Sequence, residues 1–333
     1  MSELSTEEKP LLSDLISVVV CTRNRAAKLP QCLSTLLAMN AADGFRWELV
    51  CVDNNSTDQT KQVIEEFASS SRIPIRYVFE RVQTISSARN AGLRQALGDI
   101  IVFTDDDCLV DRNWLGTIWK EFRADALLAM LSGRVELQDQ NDLPICIRSF
   151  KERITVDPTN VFSVIGTSNM AFKRDVIESI GGFDPDFGAG TPLLGSEDSD
   201  FVYRALKAGF KATYSPDVLV LHDHGRRSGL DRRKIEGAYV ISRGAFYLKH
   251  MLKGDPQITR LAYWESTKFA KQVLFKSNAG ESRWDAARLL GYLLKGFFLY
   301  LLVCIRRIGG ASTSNQKLDR PTLKSGRPAV PSS

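Results

Sequence analysis

The sequence lacks a glycine-rich phosphate cradle. Neither Gly-X-Gly-X-X-Gly nor a Walker loop follows its first strand-like run, where Thr22-Arg23-Asn24-Arg25 stands instead, which argues against a nicotinamide-dependent dehydrogenase and a phosphate-loop NTPase. Cysteine is sparse and scattered. The six positions, Cys21, Cys32, Cys51, Cys108, Cys146 and Cys304, show no short paired spacing, so they indicate neither a disulfide framework nor a cysteine zinc site and favour a reducing compartment. No sign of charge dominates. A net charge of +5 gives no argument for a nucleic-acid partner, although Arg226, Arg227, Arg232, Arg233 and Lys234 crowd one stretch and suit phosphates or an anionic membrane. The first ten residues are polar and acidic, without the basic-then-apolar pattern of a signal peptide. These absences point to a cytoplasmic protein.

A long hydrophobic run is also wanting. The most apolar window, 289–305, spans about 17 residues with Lys295 inside it, where roughly 20 are needed to cross a bilayer. An interfacial helix with Lys295 snorkelling fits that length, giving peripheral contact with the inner face of the cytoplasmic membrane through 285–309. A helix packed against the preceding domain or a partner subunit is the other reading. Beyond 309 the chain is rich in Ser, Pro and Lys, and 310–333 is expected to be disordered.

What is present is a globular composition, 44% hydrophobic and 25% charged, with strand and helix signals in alternation. Short β-branched runs at 16–21, 47–52, 75–79 and 100–103 read as buried parallel strands. Helical spacing occupies 26–39, the stretch from Ser56-Thr57-Asp58 to about residue 68, 86–97 with Gly98 as C-cap, and 114–122. This alternation predicts a mostly parallel sheet flanked by helices. Later, 126–137 reads as a strand bent near Gly133, 161–172 as strand-like, 181–196 as a functional loop, 198–209 as a helix and 218–221 as a short strand. After about residue 230 the pattern is helical.

Ligands of open parallel sheets bind beyond the carboxyl ends of the strands. Three expected strand ends carry polar groups there: Thr22-Arg23-Asn24-Arg25, Asp53-Asn54-Asn55-Ser56 and Asp105-Asp106-Asp107. Any one of these sets suits an ordinary turn; all three at one edge indicate a site. Three adjacent carboxylates repel, and a hard divalent cation such as Mn²⁺ or Mg²⁺ would compensate them through oxygen ligands. Alternation along the backbone puts Asp105 and Asp107 on one side and Asp106 on the other. Downstream, Gly195-Ser196-Glu197-Asp198-Ser199-Asp200 enters a helix. Position alone allows either acidic residues favoured by the helix dipole or a general base. His222 and His224 offer imidazole to the same metal, or serve the fold.

Taken together, these segments resemble glycosyltransferase family 2, an inverting family of GT-A fold. The matching stretches are Val18-Val19-Val20-Cys21-Thr22-Arg23-Asn24-Arg25, Val52-Asp53-Asn54-Asn55-Ser56-Thr57-Asp58 and Ala88-Arg89-Asn90-Ala91-Gly92, followed by 99–107 with Trp114-Leu115. Then come Gly182-Phe183-Asp184, 195–200 with Arg204 and Gly209, and His222. Ser196 stands where a second glycine is common, and the triplet is acidic at its centre where a neutral residue is usual. The second departure leaves open which aspartates touch the metal.

The resemblance implies a Rossmann-like GT-A domain over 15–228, with a nucleotide half at 15–125 and an acceptor half at 126–228. A tail would precede it at 1–14, and a helical extension would follow at 229–309. It implies that Thr22, Asn24, Arg25, Asp53, Arg89 and Asp105 bind a nucleotide-sugar donor, uridine-linked by preference. Asp105, Asp107 and His222 would hold Mn²⁺ or Mg²⁺, with His222 serving the metal or the diphosphate. Asp198 would be the base, with Glu197 beside it orienting acceptor or loop. The acceptor would be a carbohydrate or a lipid-linked sugar, in surface polysaccharide or glycolipid synthesis. The competing functions are a sugar-nucleotide nucleotidyltransferase and a non-catalytic carbohydrate-binding or scaffold relative.

Overall fold

A computed structural model of the chain describes residues 14–40, 44–274 and 282–311. The expected tails, through residue 13 and from 312 onward, lie outside them. The parallel half of the sheet is built by β1 (Leu15–Thr22), α1 (Leu29–Leu37), β2 (Arg46–Asp53), α2 (Thr60–Ser70), β3 (Ile75–Phe79), α3 (Ile85–Gln95) and β4 (Ile100–Asp105). After β5 (Cys108–Val110) and α4 (Trp114–Ala124) come β6 (Leu128–Leu137), β7 (Ile154–Thr155), α5 (Val161–Val164), β8 (Met170–Lys173), α6 (Arg174–Ile180), α7 (Glu197–Lys207) and β9 (Lys211–His222). Three helices close the described chain: α8 (Gly229–Met251), α9 (Pro256–Leu274) and α10 (Arg283–Ala311).

The strands form one sheet in the order β3-β2-β1-β4-β8-β6-β9-β5, with β7 on β9. It is parallel through β3-β2-β1-β4 and again at β6-β9; β8 and β5 run antiparallel to their neighbours. Both faces are covered. Alternate residues Ile16, Val18 and Val20 pack under α1, α2 and α4, while Val19, Val50 and Val52 pack under α3 and α7. That two-sided burial is why these runs read as continuously apolar.

Four local expectations change. The stretch 161–172 is not one strand: it opens as α5, makes a 3₁₀ turn at Thr167–Asn169, and only then enters β8. The turn buries Asn169, whose amide oxygen accepts from Trp114 Nε1 and whose amide nitrogen donates to the carbonyls of Arg134 and Val218. One side chain thus ties α4, β6 and β9, which a regular strand could not do. Gly98 is not a left-handed C-cap, because α3 ends at Gln95 with an extended Ala96. A Cβ on Gly98 would lie 2.6 Å from the backbone nitrogen of Ser17, so glycine is required by close approach to β1. Helix α2 begins at Thr60, with the Asp58 carboxylate accepting from the Thr60 N–H at 3.1 Å. The strand expected at 218–221 is the end of the longer β9.

The helical extension docks on α7 through a buried charge cluster. Asp200, fully buried, accepts from Lys249 and His250 of α8 and from Arg204 one turn on. Burial alone would raise its carboxyl; these partners overcome burial and hold it far below the usual carboxylate range. A depressed folded-state value means the ion contributes fully above the unfolded carboxylate range and is lost only as pH falls towards the folded value. Asp200→Asn should therefore cost about 3 kcal/mol in urea unfolding at pH 7, because Arg204 loses its carboxylate partner and Lys249 keeps only that of Asp184. The difference from the parent protein should shrink below about pH 4.

Candidate active site

Strand register assembles the site. Thr22 pairs with Asp53 across β1 and β2, and Cys21 pairs with Asp105 across β1 and β4, so the three expected polar ends meet at one edge. Asp53 is buried. Its Oδ1 accepts from the Ser56 N–H and its Oδ2 from the Tyr77 hydroxyl, both at 2.9 Å. Each oxygen keeps a second lone pair for a ligand donor. Asn24, at φ 52°, joins the first two strand ends: its N–H donates to Ser56 Oγ and its side-chain oxygen accepts from the Thr57 N–H. Its side chain holds the loops to each other.

The acidic triplet divides as alternation requires. Asp105 and Asp107 turn towards His222, and with Cys108 their ligand atoms lie within 4.8 Å of one another. Asp106 turns the other way, towards Thr22 and Arg25. Burial pushes its carboxyl up to about 6, against the pull of the Thr22 hydroxyl and Arg25. Asp107 is also desolvated, yet His222 and Arg25 hold it below its ordinary value. His222 Nε2 sits 3.1 Å from Asp107 Oδ1 and Arg25 Nη2 sits 3.3 Å from Asp107 Oδ2.

Two carboxylates and an imidazole are a fitting donor set for Mn²⁺ or Mg²⁺. His222 turns Nε2 to Asp107, and among the described residues its buried Nδ1 has no hydrogen-bond partner. Cys108 enters the cluster because it pairs with His222 across β5 and β9; burial holds its thiol well above the ordinary value, so it stays protonated and is a poor partner for a hard cation. His224 is different. Its Nε2 meets the Leu143 carbonyl and its Nδ1 accepts from the Arg226 N–H, so both ring nitrogens serve the fold.

Arg89, on α3, joins this cluster to the start of α7. Its guanidinium is 95% buried, donates to Glu197 Oε1 at 2.6 Å and lies 3.8 Å from Asp105 Oδ1. Glu197, raised by burial against the pull of Arg89, is thereby fixed in an ion pair. Asp198 is more open. Its Oδ1 accepts from the Ser199 N–H at 2.7 Å and the Ser199 hydroxyl at 3.3 Å, and among the described residues its other oxygen has no hydrogen-bond partner. The Ser196 side chain provides no helix cap; at φ 62° it instead bonds to Ser242 of α8 at 2.8 Å. The loop at 181–196 is pinned to α3 through Asn90, which exchanges two hydrogen bonds with the Phe183 backbone, and through Ser86 to the Phe187 carbonyl.

Sequence reasoning missed three members of this region: the Arg89–Glu197 pair, the orientation of Tyr77 onto Asp53, and the role of Asp200. The i,i+4 spacing of Asp200 and Arg204 was the only local signal among them.

Residues 17–181 match the model described as glycosyl transferase family 2. Glycosyltransferase AglE of Haloferax volcanii is 26% identical over 209 residues, covering 62% of this chain and 66% of that protein. The succinoglycan biosynthesis protein ExoM of Rhizobium meliloti is 29% identical over 207 residues, covering 62% of this chain and 65% of its own length. The chain thus spans slightly less than two thirds of these relatives. Among solved structures, the mannosyltransferase PcManGT of Pyrobaculum calidifontis, in complex with GDP-Man and Mn²⁺, superposes with a TM-score of 0.51 at 21% identity, covering 90% of this chain and 76% of that one. The fold is that of the GT-A enzymes, and by its domain over residues 17–181 the chain belongs to glycosyltransferase family 2.

Proposed function

We propose that this protein transfers a sugar from a nucleotide-diphosphate donor to a hydroxyl of a carbohydrate or lipid-linked acceptor, inverting the anomeric centre, in the synthesis of a surface polysaccharide or glycolipid. The observation that carries this reading is the span of Arg89, which sets the Asp105–Asp107–His222 cluster on one side and Glu197-Asp198 on the other. Asp53 and Thr22 line the base pocket, and the Asp53 oxygens, held by Tyr77 and Ser56, face the ring N–H of a uracil-type base. Asp105, Asp107 and His222 hold Mn²⁺ or Mg²⁺, which when bound acts as a Lewis acid for the leaving diphosphate. Asp198 takes the proton of the acceptor hydroxyl on its free oxygen while Ser199 fixes the other. Glu197, locked to Arg89, positions the turn that carries Asp198. Because base and metal ligands come from opposite sides of the site, attack is in line and the configuration inverts.

The protein also lies against a membrane through α10. Among the described residues, one helix, Arg283–Ile308, is long and apolar enough to cross a bilayer, but only 22% of its most apolar window is buried. Ala286, Leu293 and Tyr300 face the extension's core. Leu294, Phe298, Leu301, Ile305 and Ile308 are exposed, at alternating spacings that place them on one stripe. Lys295 and Arg306, both exposed, flank that stripe. A buried inner face and an apolar outer stripe edged by cations suit a helix lying in the interface.

Incubation with uridine- and guanosine-diphosphate sugars, assayed for nucleotide diphosphate release with Mn²⁺ or EDTA, tests the activity; silence across the panel with Mn²⁺ present would count against it. Asp198→Asn should keep donor binding and lower transfer by about 10²–10⁴-fold, and an unchanged rate would remove it as the base. Asp107→Asn should abolish Mn²⁺ binding measured by titration calorimetry while leaving the unfolding transition in place. For the membrane contact, the parent protein should sediment with vesicles containing phosphatidylglycerol, less so at high salt. The double variant Phe298→Asp, Leu301→Asp should stay in the supernatant; its continued sedimentation would leave α10 as a packing element.

A further inference from the structure

Among the described residues, one cation beside the site, Arg148, has no counter-charge. Arg148 lies next to the carboxyl end of β6, where its backbone exchanges hydrogen bonds with Val135. Its guanidinium rests on Gly166, close enough that a Cβ there would collide with it. Gly166 is extended, so glycine is needed for the room it leaves and not for its backbone conformation. Among the described residues, the buried Arg148 Nε has no acceptor, and the one side-chain hydrogen bond of Arg148 is a long 3.5 Å contact from Nη1 to the Cys146 carbonyl. The Glu136 carboxylate, next in sequence to Val135, is taken by Arg134 and Lys151. A part-buried guanidinium with unspent donors is costly unless an anion completes it.

The position of this group is fixed from two directions. Two residues after Gly166, the Ser168 carbonyl accepts from the Thr104 hydroxyl, immediately before Asp105. On the other side, the Cys146 thiol and the Tyr239 hydroxyl share a 2.6 Å hydrogen bond. Tyr239 stands one turn before Ser242, which bonds to Ser196 at the start of the Glu197-Asp198 turn. The charge of Asp105 is felt at Cys146, and the charges of Arg148 and Asp198 are felt at Tyr239. The Tyr239 side chain, on a residue 45% exposed, offers an aromatic surface against which the apolar face of a sugar can lie.

We propose that Arg148 and Tyr239 form an acceptor subsite that takes a sugar bearing an anionic group, a carboxylate or a phosphate, and sets its hydroxyl towards Asp198. The fork of a guanidinium matches the paired oxygens of either group. The subsite lies at β6 and β8, across β4 from the Asp53 pocket, so it is separate from the place expected for the donor nucleotide. This assignment rests on the reading of Asp198 as the acceptor's base.

Binding of three probes to the full chain tests it by calorimetry: methyl glucuronide, glucose 1-phosphate and neutral methyl glucoside. At least one anionic probe should bind about ten-fold tighter than the neutral one, a difference of about 1.4 kcal/mol. A preference for the uronide points to a uronic-acid acceptor, and one for the phosphate to a phosphate-linked acceptor. Arg148→Ala should erase the preference; Arg148→Lys, which keeps the charge but not the fork, should retain part of it and guards against a folding defect in the alanine variant. Asp53→Ala should leave it intact. Equal binding of all three probes by the parent protein overturns the proposal. So does a preference that survives Arg148→Ala, or one lost in Asp53→Ala alone, which would place the anion in the donor pocket. Binding of uridine and guanosine diphosphates to the parent protein reports separately on the transferase reading; failure there with the anion preference intact counts against that reading and not against the subsite.

Discussion

The buried guanidinium of Arg89 is the constraint on which the site depends. It reaches Asp105 at the end of β4 and Glu197 at the start of α7, two elements that come from opposite halves of the sheet. A fully desolvated cation is tolerable only with carboxylates around it, and carboxylates crowded at a strand end are tolerable only with a cation nearby. The two costs offset each other, and the geometry that satisfies both sets the spacing between the Asp105–Asp107–His222 cluster and the turn carrying Asp198. Ala88 and Ala91, fully or almost fully buried, let α3 lie close on β1 and β2, so Arg89 has little freedom to move. The Phe183 ring beneath the guanidinium, 5.6 Å away, closes the remaining side.

The other half of the site is held from behind. Asp200 fastens the start of α7 to Lys249 and His250 of α8, and Lys249 also donates to Asp184 of the loop before α7. Arg307 of α10 pairs with Asp184 and Asp186 of that same loop. The turn bearing Glu197 and Asp198 is therefore braced by every helix layer of the extension that reaches it. The helix that exposes Phe298 and Leu301 is thus, through Arg307, tied directly to the loop that precedes Glu197 and Asp198.

Much of this was legible in the sequence because local physics and the fold agree. The runs around Val18, Val50 and Val102 are apolar on both faces since helices cover both, and that is visible as composition. Thr22, Asp53 and Asp105 end those strands, so strand ends and site coincide. The second half of the sheet was less readable. The antiparallel β8 is only four residues long, and its approach is governed by the Asn169 side chain, whose partners lie 35 to 55 residues away. No periodicity encodes such a bond. The same holds for Arg89 with Glu197, 108 residues apart, and for Arg148 over Gly166. His222 and His224 look alike in sequence; only the Leu143 carbonyl and the Arg226 N–H, both supplied by tertiary structure, separate the spare imidazole from the committed one.

The acidic triplet is less repulsive than three consecutive aspartates suggest. Asp106 is desolvated on the inner side of the turn and raised to about 6, so near neutrality a fraction of it carries no charge, and Arg25 stands 3.9 Å from what remains. Asp107 is the opposite case: desolvated too, it is held low by His222 and Arg25, and is the most firmly ionised of the three. Asp105 is raised by desolvation against the pull of Arg89. One strand end thus presents a dependable anion, a second anion shared with a buried arginine, and a third carboxyl turned away. A divalent cation entering between Asp105, Asp107 and His222 would meet two carboxylates that repel each other in its absence. The attraction it gains would include the relief of that repulsion, and Arg89, which lies against Asp105, is bound also to Glu197 on the far side of the site.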